Sequence, residues 1–481
     1  MDPAFERHRS ELVARERSGH TAVVADSLLY VWGGYMSIAD EEIFIPSDEI
    51  WVYDLEGGIW QVFHMTGEVP TSMSGTCGCS LNGNMYIFGG CDNSGQTNQM
   101  FCVDLTDGKY VWKKIVPEFG SAPSPRDKLS CWVYDGKLIY FGGYGHKVLA
   151  DVSSRNRNFI LDEPSGLEDS FWGWNNEVHI FDPVEGSWTE PRTHGHTPAP
   201  RAAHAGATLG CKGYVCGGRV METRTNDIHC LDLESWTWTE IAPLSATPVG
   251  RSWHTLTAVS ETTMFLFGGL SVDCKPMSDG WLFDVETKKW REFEHPYQNK
   301  PRLWHTACAS RDSDVIVFGG SCDYILLVDT GHCNDALVFQ TQPHPLFRST
   351  RQDAPAGDVC VRLREPPPVC SGQIKQSPTF LPRPCTLLSL MRVAQVCAQR
   401  WSSCRAGSSQ YAAVRFSPES IQRPSEIRSR ARVPDSSCTH AEWKCLSHRS
   451  GASRSTSPVS KQHQQATRYT VTHMRHVHAP D

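Results

Sequence analysis

Apolar residues along this chain fall in short strand-length runs, and many of these runs end in a pair of glycines. The pattern is Val31-Trp32-Gly33-Gly34, Ile87-Phe88-Gly89-Gly90 and Tyr140-Phe141-Gly142-Gly143. It returns at Val215-Cys216-Gly217-Gly218, Phe265-Leu266-Phe267-Gly268-Gly269 and Val317-Phe318-Gly319-Gly320. Successive first glycines stand 56, 53, 75, 51 and 51 residues apart. Upstream comes an Arg-x-x-His, at Arg17–His20, Arg201–His204, Arg251–His254 and Arg302–His305. Downstream a short strand ends in Asp, with Trp six residues later: Asp54 and Trp60, Asp182 and Trp188, Asp232 and Trp238, Asp284 and Trp290. The second unit stretches this to Asp104 and Trp112. Apolar alternation makes the strands, glycine permits close backbone approach, and Trp supplies bulk between units. One Gly-Gly alone would be a plain turn. Six in one frame predict a radial repeat.

A period of about 50 residues is that of the kelch repeat, a four-stranded propeller blade. The chain is therefore read as all-β, a six-bladed kelch β-propeller over 17–341. Blade two lacks the Arg-x-x-His and shows Ser72-Met73-Ser74-Gly75 instead. Blade three carries a long insert, about His146 to Trp172, which accounts for the widest spacing and reads as a long loop. Blade six is incomplete, with Gln340 where Asp is expected and no Trp after it. Its outer strand must come from elsewhere or be absent. Residues 1–16 read as a flexible N-terminus in which Glu11–Ala14 is a candidate closing strand, since closure protects sheet edges. Residues 342–355 are a short degenerate box, and 356–481 a Ser/Arg/Pro-rich tail with the composition of a disordered segment.

Charge sharpens the division. The chain carries a net −7, but residues 342–481 hold 20 Lys+Arg against 8 Asp+Glu, while 1–341 hold 26 against 45. An acidic body argues against a general nucleic-acid clamp. No apolar stretch is long enough to span a bilayer, and the charged N-terminus is not a secretory signal, so no membrane association is expected. The 19 cysteines include no Cys-x-x-Cys. They read as free thiols of a reducing compartment, cytoplasmic and also possible in the nucleus. His473, His476 and His478 lack partners for a closed zinc site, so neither metal nor cofactor is expected.

In a propeller, equal repeat offsets lie at equal heights around the axis. Directly after the glycine pairs stand Tyr35, Cys91, Tyr144, Arg219, Leu270 and Ser321. The blade starts contribute Lys128, Ser252, Trp253 and Trp304. Arg224 follows Arg219 on one connection, and Trp174 closes the insert. Two guanidiniums and a hydroxyl can grip a carboxylate, and Trp and Tyr rings can wall a slot that admits only a small group. Singly, each Arg reads as solvated or ion-paired and each Trp as blade packing. The set together points to a ligand site. The Arg-x-x-His residues read as framework, with the His bonded to backbone.

The segments Asp127-Lys128-Leu129, Gly142-Gly143-Tyr144-Gly145, Gly173-Trp174-Asn175, Gly218-Arg219, Arg224-Thr225-Asn226-Asp227, Arg251-Ser252-Trp253-His254 and Arg302-Leu303-Trp304-His305 resemble the kelch-domain substrate receptors of cullin–RING ubiquitin ligases. The resemblance covers about residues 15–348. It implies a non-catalytic reader of C-terminal glycine degrons that delivers target proteins for ubiquitination and degradation. Arg219, Arg224 and Ser252 would hold the terminal carboxylate. Tyr144, Trp174, Trp253 and Lys128 would line the slot and fix the peptide backbone, and Trp304 would add a wall. The same resemblance implies elongin B/C and a cullin as partners, docked by a helical box after the propeller. Here Pro345–Ser349 starts such a box, but Pro355 disfavours helix at Ala354 and the apolar face stops. Two other readings stay open. One is a kelch scaffold for an internal peptide or cytoskeletal partner. The other is a kelch enzyme gripping a small acidic molecule with Arg219 and Arg224.

Overall fold

The computed structural model describes residues 12–341, apart from 39–40, 149–157, 165–168, 311–312 and 324–330. The chain forms a six-bladed kelch propeller built entirely of strands over the described residues. Each blade has an antiparallel core, joined in blades two and four by a two-residue parallel edge strand, and its innermost strand lines the axis: Thr21–Ala25, Cys77–Leu81, Ser130–Tyr134, Ala205–Leu209, Thr255–Ala258 and Thr306–Ala309. Each of these packs on the next around the ring, and the sixth packs on the first. The box at 342–355 and the tail at 356–481 lie outside the described residues.

Aromatic side chains fill the seams, as the spacing of Asp and Trp predicts. Trp112 meets Trp32 edge-on at 5.4 Å, Trp188 meets Phe88 at 5.1 Å, and Trp238 meets Phe141 at 5.1 Å. Trp60 of blade one meets Phe318 of blade six at 4.9 Å and so seals the ring. Blade six has three described strands, Thr306–Ala309, Asp314–Phe318 and Ala336–Gln340. Phe339 takes the place of its missing Trp, packed 4.7 Å from Phe267 of blade five.

The segment proposed to close blade six does not form a strand over Leu12–Arg17. Instead Ala14 is fully buried in the seam with Leu29, Val31, Trp60, Ile316 and Phe318. Backbone bonds then make the closure: Arg17 N–H donates to Cys333 O at 3.2 Å, and Gly320 N–H to Arg17 O at 2.8 Å. The insert of blade three differs from the loop expected of it. Its described parts, Tyr144–Val148, Phe159–Pro164 and Ser170–Asn175, join Arg126–Asp127 in a separate four-stranded sheet.

Buried arginines hold the blades. The guanidinium of Arg201 donates to Gly217 O at 2.8 Å and to both carboxylate oxygens of Asp227 at 2.8 and 2.7 Å. Arg251 repeats this on Gly268 O at 2.9 Å and on Asp279 at 2.7 Å. Arg126 pairs with Glu177 at 2.7 Å, and Arg302 pairs with Asp335. A fork of donors suits this role, because a guanidinium can serve a carbonyl and a carboxylate together. In blade two Met73 occupies the position; its carbonyl still accepts from Gly34 N–H at 3.0 Å. The histidines are framework: His20, His254 and His305 interact with the backbone of Phe318, Cys216 and Phe267, and three of the four also bond a hydroxyl. His20 shares a 2.9 Å hydrogen bond with Thr306, His204 a 2.8 Å bond with Ser130 and His305 a 3.0 Å bond with Thr255. Each partner is a hydroxyl on the innermost strand of the preceding blade, which ties neighbouring blades together.

Candidate functional site

Two rings of equivalent residues form the mouth of the propeller. The inner ring is Gly19, Gly75, Lys128, Ala203, Trp253 and Trp304. Every one has a left-handed backbone, with φ of 64, 69, 55, 53, 56 and 55°. Each N–H donates to the carbonyl of its counterpart in the preceding blade at 2.8–3.1 Å, so six hydrogen bonds close a circle around the axis. Left-handed backbone costs a residue with a Cβ about 1–2 kcal/mol. Lys128, Trp253 and Trp304 therefore reach the mouth at a conformational cost that Gly19 and Gly75 do not bear.

The outer ring is Tyr35, Cys91, Tyr144, Arg219, Leu270 and Ser321. Each pairs with the residue that precedes an inner-ring member: Ser18, Ser74, Asp127, Ala202, Ser252 and Leu303. Equal offsets thus do occupy equal heights.

The eight candidate residues form one contiguous neighbourhood on blades three to six. Tyr144 and Trp174 face each other across adjacent strands, with rings edge-on at 5.4 Å. Both pack with Ala202, whose backbone is bridged to Arg219. Arg219 is the direct cross-strand partner of Arg224. Arg224 Nε donates to Ser252 Oγ at 2.9 Å. Beyond Ser252, the rings of Trp253 and Trp304 stack at 5.5 Å. Lys128 Nζ lies 5.5 Å from the centre of the Trp304 ring and pairs with Asp127. Asp127 is in turn the cross-strand partner of Tyr144, which completes the circuit.

The electrostatics are uneven. Arg219 and Arg224 are both buried, and like charges directly opposite on a sheet repel. Arg219 Nε is pinned by Met221 O at 2.8 Å, and the exposed Glu222 carboxylate stands 3.8 Å from its outer nitrogen. Ser252 Oγ accepts from Arg224, and its own O–H can still donate. The arrangement gathers donors and positive charge at one point, as a bound carboxylate requires. An axial cavity of about 140 Å³ adjoins it, lined by Lys128, Trp253 and Trp304 together with His20, His204, His254 and His305. Arg219 and Arg224, both buried, are not part of that lining. Among the described residues no group of three or more His, Cys, Asp or Glu is placed to hold a metal.

Some residues of the mouth were not picked out from the pattern. His332 is buried, within 2.8 Å of Ser18 Oγ and 3.1 Å of Ser37 Oγ, and its ring meets Tyr35 at 5.1 Å. Tyr35 also meets Trp304 at 5.6 Å. Tyr35 shares the offset of Tyr144 and Arg219, so a signal for it existed. Asp162, which accepts from the Tyr144 hydroxyl at 2.8 Å, had none, because it comes from the insert.

Fold and site together define a kelch-repeat propeller with a cationic, aromatic-walled mouth. A family model described as the KLHDC2/KLHL20/DRC7 Kelch-repeats domain matches residues 19–269 and 173–345, and the chain belongs to this family. Kelch domain-containing protein 1 of Homo sapiens is 52% identical over 344 residues, which cover 70% of this chain and 83% of that protein. The Mus musculus protein of the same name is 50% identical over 341 residues, with the same coverage. Kelch domain-containing protein 2 of Homo sapiens is 44% identical over 364 residues, covering 72% of this chain and 86% of that one.

Proposed function

We propose that the chain is a non-catalytic receptor for proteins that end in glycine, and that it serves a cullin–RING ubiquitin ligase in the cytoplasm or nucleus. The observation that carries the reading is the buried pair Arg219 and Arg224, opposite each other in register, with Ser252 on Arg224. A terminal carboxylate would relieve the repulsion between the two guanidiniums. Each charge-assisted hydrogen bond would contribute about 1.5–3 kcal/mol. Tyr144, Trp174, Trp253 and Trp304 would wall the slot, so a side chain larger than hydrogen would be excluded by the rings. Lys128 would receive backbone carbonyls.

Fluorescence anisotropy with three peptides tests the reader: one ending in Gly-Gly, one in Gly-Gly-amide, and one extended by a further residue. Tight binding of the first alone is expected, with Arg219→Glu lowering it at least a hundredfold. Equal or absent binding of all three would remove the proposal. The ligase half rests on residues 342–355, outside the described residues. Reconstitution with elongin B/C and a cullin tests it separately, and failure to co-purify would leave a reader without a ligase.

A further inference from the structure

The face of the blade-three insert that carries Tyr144 and Trp174 does not end there. Two residues further along the same strands, His146 and Trp172 form the next rung on that face. The Trp172 ring is parallel to that of Tyr144 at 6.1 Å, and His146 meets it edge-on at 5.2 Å. Trp172 is buried, yet its indole N–H and His146 Nδ1 have no hydrogen-bond partner among the described residues. A buried N–H without an acceptor is costly, so this donor beside the candidate site could serve a ligand acceptor. Burial also holds the His146 imidazole below its ordinary pKa, which keeps it neutral near pH 7. Trp172, Trp174 and Tyr144 pack as one cluster against Ala202, next to Arg219.

We propose that the rung of His146 and Trp172 is a second subsite, which binds the peptide backbone upstream of the terminal glycine. This rests on the carboxylate-reader proposal. Two residues of strand advance about 7 Å, the span of two residues of extended peptide. A peptide anchored by its carboxylate at Arg219 and Arg224 would then meet Trp172 near its third residue from the end. The indole N–H donates to a peptide carbonyl there. His146, half-buried beside it, contacts the side chain and sets the upstream preference.

The test compares the free dipeptide Gly-Gly with a hexapeptide ending in Gly-Gly, by calorimetry on the full chain. The hexapeptide binds the native chain at least tenfold more tightly. Trp172→Phe keeps the ring and removes the N–H; it weakens the hexapeptide about five- to tenfold and leaves the dipeptide unchanged. His146→Ala, at a half-buried position, acts in the same direction. Losses equal for both lengths, or no loss in either variant, would overturn the second subsite while sparing the first. A native chain that binds neither peptide would overturn both.

Discussion

At the scale of single residues, the mouth depends on side chains that hold other side chains. Ser252 shows this most directly, because its oxygen accepts from Arg224 while its hydrogen would donate to the proposed carboxylate. Ser252→Ala removes both bonds at once. Peptide affinity is expected to drop about tenfold, and the melting temperature to stay within about 2 °C, as anisotropy and thermal denaturation would report. Arg224→Lys is a sharper probe. It keeps the charge and loses the fork, so an affinity loss similar to Ser252→Ala is expected if geometry matters. Native affinity in Arg224→Lys would reduce the site to a diffuse positive patch. Six of the eight candidate residues were legible because repeat offset maps onto height, while Arg224 and Trp174 were reached only through their neighbours on the connection and the insert. Their backbone state was not legible. Glycine stands at this offset in blades one and two, whereas Lys, Ala and Trp stand there in the others, and only the closed circle of hydrogen bonds explains why all share one φ.

At the scale of the blade, the recurring Arg, Gly-Gly, Asp and Trp were readable because each does one job at a fixed spacing. Substitutions within that frame were harder to read. Phe339 replaces a Trp from a different offset, and Met73 keeps only the carbonyl of the Arg it replaces. The insert of blade three was read as a loop because its pairing runs across a long connection, with a register shift between Leu161 and Pro164 that breaks strand alternation. The acidic partners of the framework arginines also escaped notice, being Glu in blade three and Asp at varying distances elsewhere. Asp227 tests their weight. Arg201 and His229 hold its carboxyl well below the usual carboxylate range. Asp227→Asn would leave Arg201, which is 1% exposed, without its counter-charge. A destabilisation of about 3 kcal/mol or more is expected from denaturant titration. A change under about 1 kcal/mol would mean that the carbonyl of Gly217 suffices.

At the scale of the whole ring, closure and acid sensitivity come from the same layer. The seam between blades six and one is made by Ala14, Arg17, Trp60 and Phe318, with Ser18 bonded to His332. Around this layer stand His20, His204, His254 and His305, all buried. Burial holds each below its ordinary pKa, with His204 and His305 lowered to about 3. In the unfolded chain these imidazoles titrate near 6.5. As pH falls below that value the unfolded chain takes up protons that the folded ring refuses, so stability declines. The slope is about 1.4 kcal/mol per pH unit for each histidine, or about 2 kcal/mol each by pH 5. The lowered carboxyls of Asp227, Asp279 and Asp335 act elsewhere on the scale. Their contribution is complete above an unfolded value near 4 and is lost only as pH falls through it. The window between pH 6.5 and 4 therefore belongs to the histidines. The melting temperature is expected to be flat above pH 7 and to fall steeply below 6.5. His204→Gln would flatten that fall, whatever its effect on stability at pH 8, because one of these buried imidazoles is gone. A melting temperature unchanged down to pH 4.5 would mean that the buried histidines accept protons in the folded ring, and the hydroxyls of Ser130, Thr255 and Thr306 would then have to be acting as acceptors for charged rings.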